Sequence, residues 1–380
     1  MSGILGIWHP DGRPADRAEL ARLAATIRHR GGDAEGLRID GAAGLAVHIR
    51  RVTPESARET QPVVDDQGAM LAFDGRLDDR DDLIAALDGD GGVSRESPDS
   101  SLVLAAYRRL GEACLARLNG DFALAVHDPR RRRLLLARDA IGVRPLYYHA
   151  TPQLVIFASE IKAIVAHPDV PARPDDETLA DFLFTRFTGA PPTPRTFFEH
   201  VSSVLPGYAV IVDAGGVRMA PYWDFDAARA VRFARYGDYV DAFREHFDRA
   251  VRRRLRCVRP TAVSVSGGLD SSAIFCAAHR IVRCDGRVTP PIGVAQTFPD
   301  GSPSDEKVFL ADLERSSGSP ILRLHDPPVG MTDSCRDAIW HSEMPFLDGQ
   351  WNATHALLSA ARQCGAPVLL TGHWGDQFLF

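Results

Sequence analysis

A chain of 380 residues exceeds one ordinary domain, so two domains are expected. Hydrophobic content of 45% and charged content of 25% fit a folded globular chain and exclude a disordered, collagenous or fibrous one. A net charge of −6 gives no basic excess that would mark nucleic acid or an anionic membrane as the main partner, and the chain has only two lysines, Lys162 and Lys307.

The start, Met1-Ser2-Gly3-Ile4, lacks the pattern of a signal peptide, and no apolar run reaches the roughly eighteen residues a membrane span needs. Six scattered cysteines without a CxxC pair match neither a disulfide framework nor a zinc site. Reduced thiols and a cytoplasmic location are the expectation.

Residues 1–225 read as short strands separated by turns. The apolar runs Gly44–Ile49, Ala69–Phe73, Phe122–Val126 and Leu134–Ala137 are mostly bounded by Asp, Gly or Pro, as strands of a layered core would be. Helices are expected over Asp16–Ile27 and Ser100–Leu110. The character changes at about 225–235. From Tyr236 to Cys257, Tyr239, Phe243, Phe247, Val251 and Leu255 fall four apart, which predicts one long amphipathic helix. Next come a strand (Thr261–Val265), a Gly-rich turn, a helix (Ser271–Val282), a strand (Pro291–Phe298), a helix (Asp305–Ser316), a helix around 350–363 and a strand (Pro367–Leu370). Alternating strands and helices predict a parallel sheet over residues 236–380.

The strongest chemical signal is Ser266-Gly267-Gly268-Leu269-Asp270-Ser271-Ser272, placed between a strand and a helix. Two glycines let backbone approach a phosphate chain, the helix N-terminus offers N–H donors, and the serine hydroxyls add more. A plain capped helix start is the structural alternative. Asp270 would repel phosphate unless Mg²⁺ lay between them, so its presence implies a metal bridge. The absence of Gly-Lys-Ser/Thr excludes a Walker A loop. The segment resembles the loop of the ATP pyrophosphatase superfamily, which splits ATP between its α- and β-phosphates. Thr371-Gly372-His373-Trp374-Gly375-Asp376 follows the last strand, and Asp376 at that sheet edge would pair with Asp270 as the metal ligands. Val265 and Val294 are expected beside the adenine.

With these residues in hand, the chain resembles the asparagine synthetase family in its glutamine-dependent form. The matching segments are Arg28-His29-Arg30-Gly31-Gly32-Asp33, Gln61-Pro62, Asn119–Ala123, Ala137-Arg138-Asp139, Gly142–Tyr147, Ala158–Lys162, Leu205-Pro206-Gly207 and the Ser266–Ser272 loop. The resemblance implies an α+β N-terminal nucleophile-type (αββα) domain over 1–225, followed by an α/β ATP pyrophosphatase-like (adenine nucleotide α hydrolase-like) domain over 236–380. It also implies use of ATP and Mg²⁺.

The departures bear on the reaction. The family's nucleophilic cysteine is replaced by Ser2, a far weaker nucleophile at neutral pH. The family's N-G-E glutamine clamp reads Asp74-Gly75-Arg76, which puts a cation where glutamine's ammonium would be held. Arg51 (or Arg50) would still face the α-carboxylate, and Asp99 matches the other acidic ligand. A dead glutaminase retained as scaffold is expected. In the second half His373 replaces a substrate-handling glutamate and stands either as an acid/base group or as a polar wall residue. Gln377 replaces an acid, whereas Thr371, Gly372 and Asp376 keep the nucleotide side.

The resemblance therefore implies an AMP-forming amide synthetase acting on a small-molecule or peptide carboxylate, with lasso-peptide macrolactam cyclases and β-lactam synthetases as the similar groups and the peptide macrolactam cyclase as the expected one. A precursor peptide, a protease and a second copy of the chain are the partners it allows for. A working glutamine-dependent asparagine synthetase and a non-catalytic ATP-binding scaffold are the competing readings. A tRNA-acting ATP pyrophosphatase is disfavoured, since the chain has no cysteine pair for sulfur transfer and is net acidic. The family's catalytic lysine lies well beyond the Asp376 loop, and neither Lys162 nor Lys307 matches it. The 380 residues alone are thus expected to be inactive and to expose an apolar edge.

Overall fold

The computed structural model describes residues 1–87, 92–185, 193–286, 289–325, 334–345, 350–373 and 375. The chain divides into two compact units, one spanning 1–51 and 55–227, the other 52–54 and 228–380.

The first unit is four layers deep. One six-stranded sheet runs in the order Ser202–Ser203, Tyr147–Ala150, Val155–Ala158, Gly3–Trp8, Ala43–Ile49, Ala34–Asp40. The other runs Gly216–Pro221, Tyr208–Asp213, Arg133–Arg138, Gly120–Asp128, Met70–Leu77, Val63–Val64. Side chains alternate across each strand, so each sheet has two apolar faces. Ile4, Leu45 and Val47 of one sheet meet Met70, Ala72, Ala125 and Leu136 of the other in the central core. Leu71, Phe73 and Leu124 face outward onto Leu102, Val103 and Ala106 of the helix Asp99–Leu110. Leu5, Ile7 and Ile156 face the opposite way onto Leu20 and Leu23 of the helix Arg17–Ala25. This is the αββα arrangement.

The second unit carries a four-stranded parallel sheet ordered Ile321–His325, Ile292–Thr297, Ala262–Ser264, Leu369–Leu370. Val263, Val265 and Ala295 pack with Phe275 and Leu310 from the helices Leu269–Cys284 and Lys307–Ser317. Ala262 and Val294 pack with Ala360 and Ala361 from the helix Gln350–Gln363. Helices therefore cover both faces of the sheet, as in other α/β folds. The chain builds outward on one side of Ala262–Ser264, then returns to add Leu369–Leu370 on the other. The strand order thus reverses between those two strands, and the crevice at their C-terminal ends is where such sheets take ligands.

The second unit departs from the sequence expectation in places. The strand Ile321–His325 and the helix Cys335–Ser342 were not anticipated. The amphipathic helix runs Tyr236–Arg254, and its apolar stripe is only half covered. Val251 and Leu255 pack on Ala277, Ala278 and Ile281, whereas Phe243 is 55% exposed.

Candidate active site

In the first unit the chain start lies beside the strand Met70–Leu77. The Ser2 amide donates to Asp74 Oδ1 at 3.0 Å, and the Ser2 carbonyl accepts from Arg30 Nε at 2.9 Å. The Ser2 hydroxyl accepts the Arg50 amide N–H at 2.9 Å. Burial lowers the Met1 α-amine to about 6, against the attraction of Asp74. Asp74 is buried and also faces Arg30 at 3.3 Å and Arg144 at 3.7 Å. Glu160, buried alongside, holds Arg30 at 3.0 Å, His29 at 2.9 Å and Lys162 at 2.5 Å. Although burial pushes the Glu160 carboxyl upward, Lys162 and Arg30 bring it below its usual range.

The residues expected to clamp glutamine are engaged with one another or with the fold. The cation at position 76 is not bare, because Arg76 Nε lies 3.3 Å from Asp78, with both side chains buried. Asp99 accepts the Leu77 N–H at 2.9 Å and pairs with the buried Arg80. Of Arg51 and Arg50, either expected to face an α-carboxylate, Arg51 donates from Nη2 to the Glu59 carbonyl oxygen at 3.2 Å. Gly75 sits in mid-strand, paired with Phe122. The structure brings Ser2 and Asp74 together. Glu160 and Arg30 lay within the matched segments, but nothing in sequence spacing showed that they meet.

In the second unit the Ser266–Ser272 turn leads into Leu269–Cys284, with Gly268 as the residue before the helix. Ser266, Gly268, Asp270 and Ser271 line a cavity of about 620 Å³ of mixed character, together with Ser264, Thr354, Thr371, Gly372 and His373 and with Leu269, Leu357 and Leu369. The turn is tightly bonded. The Ser266 N–H donates to Ser271 Oγ at 3.0 Å, the Gly268 N–H to Ser266 Oγ at 3.2 Å, and Ser272 Oγ to the Ser266 carbonyl at 3.1 Å. The Gly267 N–H donates to Glu306 Oε2 at 2.8 Å, a contact that sequence reading missed.

The second loop presses against the first. A Cβ at Gly372 would stand 2.7 Å from the Ser271 nitrogen, and one at Gly375 would stand 2.1 Å from Asp270 Oδ2. Only glycine permits that approach.

Val265 and Val294, expected beside an adenine, prove to be core residues. They are 3% and 0% exposed because helices cover both faces of their sheet, and neither lines the cavity. Asp376, named with Asp270 as a metal ligand, lies outside the described residues, as do Trp374 and Gln377. Among the described residues no group of three or more His, Cys, Asp or Glu could hold a metal ion, and no helix is long and apolar enough to cross a membrane. The donor set nevertheless suits a nucleotide bound with a divalent cation. Hydroxyls flank Asp270 on this side, and among the described residues no Lys or Arg lines this cavity, although Arg244, Arg280 and Arg283 line the adjoining cavity that Asp270 also borders. A metal held by Asp270 would offset polyphosphate charge here.

Comparison with known proteins agrees with this geometry. The family described as glutamine amidotransferase domain matches residues 1–223, and that described as asparagine synthase matches residues 242–380. The glutamine-hydrolyzing asparagine synthetase 3 of Bacillus subtilis is 34% identical over 81% of this chain and 50% of its own. The glutamine-hydrolyzing asparagine synthetase 1 of the same organism is 30% identical over 99% of this chain and 58% of its own. The amidase chry2 of Gibberella zeae is 28% identical over 94% of this chain and 54% of its own. The chain spans about half the length of the curated relatives it matches. With an αββα unit under the first match and a parallel sheet with a glycine-serine turn at its switch point under the second, the chain belongs to the asparagine synthetase family.

Proposed function

We propose that the protein is part of an ATP-dependent, AMP-forming amide synthetase that activates a carboxylate as its adenylate for attack by an amine, without hydrolysing glutamine. The observation that carries the reading is the hydroxyl-bearing cavity at the strand-order reversal, walled by the glycine-serine turn on one side and Thr371–His373 on the other. A triphosphate seated there would meet the N-terminus of Leu269–Cys284, whose N–H groups and dipole favour phosphate.

In the proposed reaction the carboxylate oxygen attacks the α-phosphorus, pyrophosphate leaves, and the amine then displaces AMP. Asp270 would hold Mg²⁺, which supplies charge compensation for the polyphosphate when bound. Ser266, Ser271 and Thr354 orient the phosphates by hydrogen bonding, and His373 faces the acceptor side. A tethered amine gains from proximity, worth roughly 7–11 kcal/mol of barrier in well-oriented systems. That gain favours an acceptor carrying both groups, such as a peptide closing a macrolactam ring. Loss of glutamine use is supported by the Ser2 hydroxyl, which accepts a backbone N–H, and by the Arg76–Asp78 and Arg80–Asp99 pairs.

Two measurements test the reading. The chain should bind Mg·ATP, with binding lost in Asp270→Asn, and it should release no glutamate from glutamine. Unaltered Mg·ATP binding by Asp270→Asn, or steady glutamate release, would overturn it.

A further inference from the structure

Three consecutive N–H groups of the glycine-serine turn are already accepted inside the protein, and their acceptors differ in kind. Ser266 and Gly268 donate to hydroxyls, Ser271 Oγ at 3.0 Å and Ser266 Oγ at 3.2 Å. A hydroxyl can rotate and donate to an incoming phosphate, so these contacts adapt to an anion. Gly267 instead donates to a carboxylate, Glu306 Oε2 at 2.8 Å. An ionised carboxylate is acceptor-only and negative, so it meets this amide as a phosphate oxygen would.

Glu306 immediately precedes the helix Lys307–Ser317, and the close contact of Phe309 with Gly267 sets it against the turn. Among the described residues no cation is paired with the Glu306 carboxylate. The neighbouring Lys307 is engaged by Asp300 and, at 3.9 Å, by Asp305.

We propose that Glu306 is an internal anion that occupies the Gly267 amide and must yield it when pyrophosphate or the nucleotide's phosphates enter the turn. The inference rests on the nucleotide reading above. It adds a residue that sets how tightly phosphate is held, and with it how readily pyrophosphate leaves after adenylation. A residue that merely braced the turn would do the opposite, since its loss would loosen the turn and weaken binding.

The test is calorimetric titration of inorganic pyrophosphate with Mg²⁺ into the 380-residue chain, its Glu306→Gln variant and an Asp305→Asn control, at one ionic strength. Glutamine keeps an acceptor for the Gly267 N–H but removes the charge. Glu306→Gln is expected to bind pyrophosphate about tenfold tighter, the scale of losing one nearby like charge at a protein surface. Asp305→Asn removes the same charge one residue away and is expected to change affinity less than threefold. Equal or weaker binding by a Glu306→Gln variant that unfolds at the parent temperature would overturn the proposal, as would equal tightening by Asp305→Asn. Absence of pyrophosphate binding in all three proteins would instead bring down the nucleotide reading itself.

Discussion

Ser2 and Asp74, 72 positions apart in the chain, are joined by a hydrogen bond of 3.0 Å from the Ser2 amide to the Asp74 carboxylate. Asp74 is 1% exposed and also faces Arg30 and Arg144, so one carboxylate anchors the chain start and balances two cations. Removing one partner of a buried ion cluster costs about 3–5 kcal/mol, because the remaining charges stay desolvated. Asp74→Leu is therefore expected to lower unfolding free energy by about that amount in urea titration. Asp74→Asn, which keeps a hydrogen-bond acceptor for Ser2, is expected to lose less.

Glu59 gives the first unit a pH dependence. It is buried and bonded to the Ser100 hydroxyl. Burial, with a contribution from nearby Asp99, raises its carboxyl to about 7 from the ordinary 4.5. A folded-state value above the unfolded one means the native protein binds the extra proton between these limits. The associated stability is then fully present below about 4.5 and lost as pH rises through about 7. At 1.36 kcal/mol per unit the full swing is about 3 kcal/mol. Glu59→Gln is expected to remove most of this slope, so that its advantage over the parent in urea midpoint grows from pH 5 to pH 8. A parallel pH dependence in the two proteins would contradict the assignment.

Restoring a thiol at the chain start is not expected to restore glutamine hydrolysis. In Ser2→Cys the nucleophile returns, but Asp99 remains tied to Arg80 and the Leu77 N–H, and Arg76 still stands beside Asp78. Glutamine's ammonium would find its acidic ligand already engaged, at a position where a cation must be displaced first. Glutamate release by Ser2→Cys, followed with a coupled dehydrogenase assay after confirming loss of Met1, is expected to stay at background. Release well above background would show that the ion pairs rearrange for the ligand.

Much of the architecture was legible because burial imposes periodicity. The runs around Leu45, Leu71, Leu124 and Leu135 are apolar on both sides, as strands between a sheet and a helix must be. Ile321–His325 escaped notice because it is an edge strand. Only Ile321 is buried there, so five residues carry too little pattern to mark a strand. The stripe on Tyr236–Arg254 was legible as a helix but not as half uncovered, since periodicity reports a face and not its partner. The glycine-serine turn was readable because its chemistry is local. Glu306 was not, because its contact with Gly267 spans 39 positions and depends on how two helices set down beside one sheet. The same holds for Glu160 and Arg30, 130 positions apart.

The closeness of the two loops sets up the sharpest separation between stability and binding. Gly375 approaches Asp270 so nearly that a Cβ would stand 2.1 Å from one carboxylate oxygen, and 2.9 Å from the other. The atoms met belong to a side chain, but they include its Cγ at 2.3 Å, so Gly375→Ala can be accommodated only by swinging the whole Asp270 side chain to another rotamer. Gly372→Ala differs, because its Cβ would meet the Ser271 backbone nitrogen at 2.7 Å and the chain itself would have to move. Gly375→Ala is thus expected to unfold within a few degrees of the parent, yet to weaken Mg·ATP binding at least about tenfold by misplacing the carboxylate proposed to hold the metal. Gly372→Ala is expected to lower the unfolding temperature as well, because strained backbone costs on the order of 1–3 kcal/mol. Thermal melts paired with nucleotide titrations separate the two. If Gly375→Ala bound Mg·ATP as the parent does, Asp270 would have no part in holding the nucleotide's metal.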